Sequence, residues 1–180
     1  MEDRLLVWKL KRGNRAALQR IYEKYRSDLL RIASSLIGET AEAEDVVHDV
    51  FASFVESCRS FELTGSLQGY LVTCVANRAR NLRRTKARKG TVGLDGIEER
   101  VSNLKRPDEW IVCDEEFQRV YQAMGKLPID QREVVALRVQ GAMKFREIAL
   151  HQQTSIKTAL SRYRYGMDKL RTLLQDGSLK

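Results

Sequence analysis

Proline and histidine are nearly absent: Pro107, Pro128, His48 and His151 are the only examples in 180 residues. With so few prolines, and with no segment of sustained alternation rich in β-branched residues, a fold built on sheets is excluded and an all-α protein is expected. Cysteine is also scarce. Cys58, Cys74 and Cys113 are an odd count without a C-x-x-C pair, which argues against a disulfide framework and against a zinc site. They read as reduced, half-buried residues. The two histidines stand at no metal-ligand spacing, and neither a Gly-rich phosphate loop nor a nucleophile motif occurs. Enzyme readings therefore fare worst, and no cofactor is expected. Long hydrophobic runs are missing as well: Leu5–Trp8 is cut by Lys9, too short for a signal-peptide core or a membrane span. The expectation is a soluble, cytoplasmic protein without membrane insertion.

What the chain does have is positive charge, a formal +8 with a pI near 9.6. That balance points to nucleic acid or another acidic surface as partner. The charge is concentrated in Leu67–Lys89. Leu67, Tyr70, Leu71, Cys74, Val75 and Leu82 fall on one stripe of a helix. From Arg78 onward come Arg80, Arg83, Arg84, Lys86, Arg88 and Lys89 without an acidic residue, so this end is read as projecting uncompensated positive charge. The bland alternative is a surface helix basic by chance, but merely solvated faces more often alternate in sign.

In chain order, residues 3–11 read as a short helix ended by the turn signal Gly13-Asn14. Helical spacing then runs from Arg15 to Ile37, with a break marked at Ser27-Asp28 and Gly38 as C-cap. Thr40 precedes a helix over Ala41–Ser57 whose ionisable side chains are Glu42, Glu44, Asp45, His48, Asp49 and Glu56. This is an acidic ridge on a basic protein. Asp45 and Asp49 either pair with the protein's own arginines or face a basic protein partner; surface pairs contribute little, which makes the partner the sharper reading. The loop RSFELTG (59–65) carries Phe61, which fits equally a core plug and a stacking platform for an unpaired base. Ser66 caps the basic helix.

Residues 90–103, with Gly90, Gly93 and Gly96 and no periodicity, read as a flexible linker. Pro107 suits the first turn of a helix bearing the stripe Trp110, Cys113, Phe117, Val120, Tyr121 and Met124. Asp130 is placed as the cap of the next helix, with Val134, Val135 and Leu137 inward. A short helix, Lys144–His151, buries Phe145, Ile148 and Ala149. After a turn at Gln152–Thr154, a long helix from Ser155 carries Ile156, Ala159, Leu160, Tyr163, Met167, Leu170 and Leu174 at intervals of three or four. Two helices joined by a tight turn, the second presenting Ser155, Lys157, Thr158, Ser161, Arg162 and Arg164 on its open side, make a helix-turn-helix. Residues near its start are expected at base edges, and Arg138, Lys144 and Arg146 at phosphates. The competing reading is an ordinary helical hairpin with a solvated face.

This order of acidic helix, aromatic loop, basic helix, linker and helix-turn-helix resembles the extracytoplasmic-function (ECF) group of bacterial sigma factors over nearly the whole chain. AEAEDVVHDVFASFVE (41–56) is similar to the family's A-E-D-hydrophobic-hydrophobic-Q-(D/E)-x-F, with His48 where Gln is usual. SLQGYLVTCVANRARNLRR (66–84) keeps the family's Asn at Asn77, with Leu67 and Tyr70 in place of Phe and Trp. LPIDQREVVALR (127–138) agrees closely, whereas FREIALHQQTSIKTALSR (145–162) departs at Gln152, Gln153, Thr154 and Lys157, where Leu, the turn Gly, an apolar residue and Gly are expected. A residue other than Gly in a left-handed turn costs on the order of 1 kcal/mol.

The resemblance implies three regions: 1–89, binding core RNA polymerase and the minus-10 element; a flexible linker, 90–106; and 107–180, binding the minus-35 element. It implies that Asp45, His48 and Asp49 face a basic coiled coil of the polymerase clamp. It places Phe61, Ser66, Tyr70, Asn77, Arg80, Arg83 and Arg84 at the melted minus-10 strand. Arg138, Lys144, Arg146, Ser155, Lys157, Thr158, Ser161 and Arg162 are placed at the minus-35 duplex. Core RNA polymerase and promoter DNA are the implied partners, with an anti-sigma factor as a further candidate; no side chain performs chemistry. The alternative from another class is a sigma mimic that sequesters an anti-sigma factor without touching promoters. A freestanding repressor would leave the acidic ridge unexplained.

Overall fold

The computed structural model describes residues 2–88 and 115–175. Among the described residues there are eight α-helices and no strand: α1 (Glu2–Lys11), α2 (Arg15–Ile37), α3 (Thr40–Ser57), α4 (Leu67–Arg88), α5 (Glu115–Gly125), α6 (Ile129–Val139), α7 (Phe145–His151) and α8 (Ile156–Gln175). The chain is all-α, as its composition requires. The expected linker, with Pro107, Trp110 and Cys113, lies outside the described residues. No described helix is long and apolar enough to cross a membrane.

The ends of these helices follow from their capping residues. Asn14 Oδ1 accepts the Ala17 N–H at 3.2 Å and opens α2. Gly38 closes it at φ +84°, a left-handed conformation open to glycine, with its N–H on the Ser34 carbonyl at 2.9 Å. Between them α2 is unbroken. The break expected at Ser27-Asp28 does not occur, because Leu29, Leu30 and Ile32 directly beyond it are all in the core. Ser66 Oγ accepts the Gly69 N–H at 3.3 Å and opens α4. In contrast α3 begins at Thr40 itself, so the cap position falls on Glu39, which makes no side-chain cap bond.

In the first module, α2, α3 and α4 pack together and α1 lies along α2. Ile21, Leu29, Phe54, Leu67, Leu71 and Val75 are wholly buried there, each contributing about 1.5–3 kcal/mol by leaving water. The buried side of α4 is wider than its predicted stripe, because Val72, Ala76 and Ala79 are covered too.

In the second module, α6 is the central element, packed by α7, α8 and α2. Val134, Val135, Ala136 and Leu137 are buried in succession, which only a helix covered on all sides allows. Where α8 crosses it, Gly166 makes the approach possible: a β-carbon there would lie 3.0 Å from Val135 Cγ2. Three expectations change here. Pro128, at φ −52° and ψ 140°, holds the cap position of α6, so Asp130 sits in the first turn, where it suits the helix dipole instead of capping. Val120 is exposed, and Ile156 and Leu160, expected inward, are 47% and 45% exposed.

The two modules share one continuous core. Tyr121 Oη donates to the Ser34 carbonyl at 2.9 Å, the same oxygen that receives the C-cap of α2. Cys58 is buried and Cys74 half-buried, both free thiols; burial pushes the Cys74 thiol upward.

Candidate nucleic-acid interface

The basic end of α4 is not uncompensated. Arg78 Nη2 meets Asp49 Oδ2 at 2.5 Å, Lys86 meets Glu42, and Arg80 Nη2 meets Glu133 Oε2 of the second module at 2.6 Å. The expectation of unopposed charge fails because helices remote in sequence bring their carboxylates alongside. Arg84, Arg88 and Asn77 keep an exposed position, while Arg83 is half-buried, and burial holds its guanidinium below the usual range.

Ahead of α4, Phe61 is half-buried in an aromatic cluster, its ring 5.4 Å from Phe54 and 4.6 Å from Tyr70. The ring packs against the core, as the core-plug reading expects, and keeps part of its surface open. Tyr70 is half-buried in the same cluster, and burial raises its hydroxyl. Ser66, expected at the minus-10 strand, has its hydroxyl in the α4 cap.

On α3, Asp45 and His48 are exposed, three residues apart and therefore on one face. Asp49 continues that face but is half-buried and shared with Arg78, so the alternative of pairing with the protein's own arginines holds for this one residue.

In the helix-turn-helix, Gln153 occupies the turn at φ +53°, the left-handed position where glycine was expected. Ser155 Oγ accepts the Thr158 N–H at 3.0 Å and lies 2.8 Å from Thr158 Oγ1. Both hydroxyls, expected at base edges, are thus engaged in starting α8. Arg162 is not on the open side: it is half-buried, donating to Gln152 Oε1 at 2.8 Å and meeting Asp130 Oδ2 at 2.7 Å. Lys157, Ser161 and Arg164 remain exposed along α8. Arg138, Lys144 and Arg146 are exposed as expected. Arg138 is fixed in place by a bond to the Met143 carbonyl at 2.8 Å and by the Phe145 ring 5.1 Å away.

Two matches divide the chain in the same order as these surfaces. Residues 21–89 match sigma-70 region 2, and residues 117–170 match sigma-70 region 4. The ECF RNA polymerase sigma factor SigX of Bacillus subtilis is 27% identical over 176 residues, covering 90% of this chain and 89% of its own. The RNA polymerase sigma-H factor of Pseudomonas aeruginosa is 24% identical over 187 residues, covering 97% of both. The chain belongs to the ECF sigma factors. Its function is promoter-directed transcription initiation, with RNA polymerase and promoter DNA as partners.

Solved structures give the sigma factor's fold the same company. The sigma factor RpoE of Bartonella quintana, in complex with the anti-sigma factor NepR, superposes with a TM-score of 0.69 at 23% identity, over 87% of this chain and 96% of that one. CnrH, in complex with the cytosolic domain of CnrY, gives 0.67 at 22% identity, over 98% and 99%.

Two buried charged residues of this sigma factor carry no mark in the sequence pattern. Arg132 and Glu133 are buried, at 4% and 3% exposure, although neighbouring charged residues ordinarily signal a surface. Arg132 donates to the carbonyls of Gly125 and Leu127, closing the end of α5, and burial pushes its guanidinium down to about 10. Glu133 accepts from Arg80 and from Gln152, with His151 Nε2 at 3.3 Å. Burial works to raise its carboxyl, but these partners outweigh it and hold it down to about 2. The only local signal for either was the R-E pair inside the agreement over 127–138.

Proposed function

We propose that this sigma factor acts in the cytoplasm as a dissociable RNA polymerase subunit divided as 1–89, linker 90–106 and 107–180. It performs no chemistry itself, since the polymerase supplies catalysis. Asp45 and His48, with Asp49 beside them, bind a basic surface of core polymerase. Phe61, Tyr70 and Asn77 border the melted minus-10 strand, and Arg80, Arg83 and Arg84 track its phosphates. Lys157 and Ser161 read the minus-35 duplex, Arg138, Lys144 and Arg146 hold its backbone, and Ser155, Thr158 and Arg162 position the reading helix. The observation that carries this reading is the separation of sign: exposed acid on α3, exposed base on α4 and at the helix-turn-helix. A mimic that only sequesters an anti-sigma factor would leave both basic faces without use. An anti-sigma factor is a further partner of the proposal, supported by the solved complex of RpoE with NepR.

The test is reconstitution with core polymerase. The chain should bind core and support transcription from a matched promoter. Asp45→Lys, and Asp45→Lys with Asp49→Lys, should weaken core binding by about tenfold or more, equivalent to about 1.4 kcal/mol, and spare duplex binding by the second module. Undiminished core binding by both variants would overturn the α3 assignment.

A further inference from the structure

The reading helix α8 has fewer free polar groups than its sequence offers. Ser155 and Thr158 use their hydroxyls to start the helix, and Arg162 is held by Gln152 Oε1 at 2.8 Å and by Asp130 Oδ2 at 2.7 Å. What still faces outward on its first turns is Ile156, Lys157, Leu160, Ser161 and Arg164. At about 100° per residue these five fall within an arc of about 140°. Ala159, Gly166 and Leu170 lie off this arc and are buried.

Two members of the open arc are aliphatic. Ile156 and Leu160 are 47% and 45% exposed, and one turn apart they stand side by side. A single exposed aliphatic residue is ordinary. This pair is placed where the N-terminal turns of a reading helix meet base edges, and it shares its face with Lys157 and Arg164. Arg138, Lys144 and Arg146 add exposed positive charge to the same module, so the surroundings suit a polyanion better than an apolar protein surface.

The chemistry of the major groove then selects the base. Its edges present hydrogen-bond donors and acceptors, and among the four bases only thymine adds a methyl group. An isoleucine or leucine pressed against donors and acceptors would leave them unpaired. Against a thymine methyl it takes apolar surface out of water on both sides. Four residues of helix rise about 6 Å and base pairs repeat every 3.4 Å or so, which sets the two contacts about two base steps apart or closer.

We propose that Ile156 and Leu160 are specificity-determining residues of this sigma factor, each taking the 5-methyl group of a thymine in the minus-35 duplex. The inference rests on the reading of α8 as the minus-35 helix. Lys157 and Ser161 supply the polar contacts beside them, and the aliphatic pair makes the element thymine-dependent at two neighbouring positions on either strand.

The experiment uses the full chain assembled with core polymerase, and promoter duplexes that this holoenzyme selects from a pool randomised at minus-35. Each thymine of the selected element is replaced in turn by deoxyuridine, which keeps the hydrogen-bonding groups of thymine and lacks its methyl. Affinity should fall about threefold or more at two thymines. Ile156→Ala should abolish the loss at one of them and Leu160→Ala at the other, while both variants bind the deoxyuridine duplex as the native chain does. Circular dichroism checks folding, and if an alanine variant loses helix content, Ile156→Gln or Leu160→Gln takes its place. Equal affinity for thymine and deoxyuridine throughout the element overturns the proposal, as does a methyl effect that survives in both variants. So does a loss of core binding in these variants with thymine preference unchanged, which would assign the pair to a protein contact. In each of these cases a selected minus-35 sequence, with affinity lowered by Lys157→Ala, leaves α8 as the reading helix. A pool with no enrichment at minus-35 removes that reading and the thymine contacts with it.

Discussion

Gly141 of the second module lies against Val72 of the first with no room for a side chain, since a β-carbon at 141 would stand 2.7 Å from Val72 Cγ1. It would also stand 2.8 Å from the Leu137 carbonyl oxygen in its own module. Gly141→Ala should therefore destabilise the protein by about 1–3 kcal/mol. Adding Val72→Ala should return only the valine part, leaving a coupling of about 0.5–1 kcal/mol in a double-mutant cycle followed by urea unfolding. Strict additivity would show that the modules do not meet at this point.

Gln153 holds a left-handed turn at φ +53° that a side chain disfavours. Gln153→Gly should stabilise the second module by several tenths to about 1 kcal/mol, visible as a higher melting temperature. A drop in stability would mean that the side chain contributes more than the backbone strain removes.

Glu133 makes stability depend on pH in a defined window. Burial would raise its carboxyl, yet His151, Gln152 and Arg80 together hold it near 2, below its ordinary 4.5. A depressed carboxyl contributes stability that is fully present above about 4.5 and is lost as pH falls toward 2. The stability difference between the native chain and Glu133→Gln should thus be constant at neutral pH and shrink through that acid range. A difference that stays level down to pH 2 would remove Glu133 from the ionised network.

Exposure separates the arginines of α4. In the free chain Arg84 is exposed while Arg83 is half-buried and Arg80 is engaged with Glu133. Arg84→Gln should lower the slope of log affinity against log salt for single-stranded DNA by about 0.7, and Arg83→Gln by a small fraction of that. Equal effects at both positions would place Arg83 on the open face.

Helix positions were legible wherever a cap marks them: Asn14, Gly38 and Ser66 name their boundaries because each supplies a specific backbone bond or dihedral. The start of α6 was misplaced because an aspartate near a helix start reads as a cap, while a proline there reads only as a permitted residue. Periodicity found the face of α8 through Ala159 and Leu170 but assigned Ile156 and Leu160 to it as well, since spacing alone cannot show how wide the covered sector is. Arg80 and Glu133 lie 53 positions apart on different modules, and nothing in either neighbourhood marks the pairing. The same holds for Arg78 and Asp49, each legible as a charge and neither as a partner.

Phe61 ties the loop before α4 into the ring cluster of Phe54 and Tyr70. A loop anchored in this way has lost its freedom during folding, so little further ordering accompanies capture of a strand at its edge. Discrimination among strands at this edge should accordingly appear in residence time, with encounter rates nearly alike.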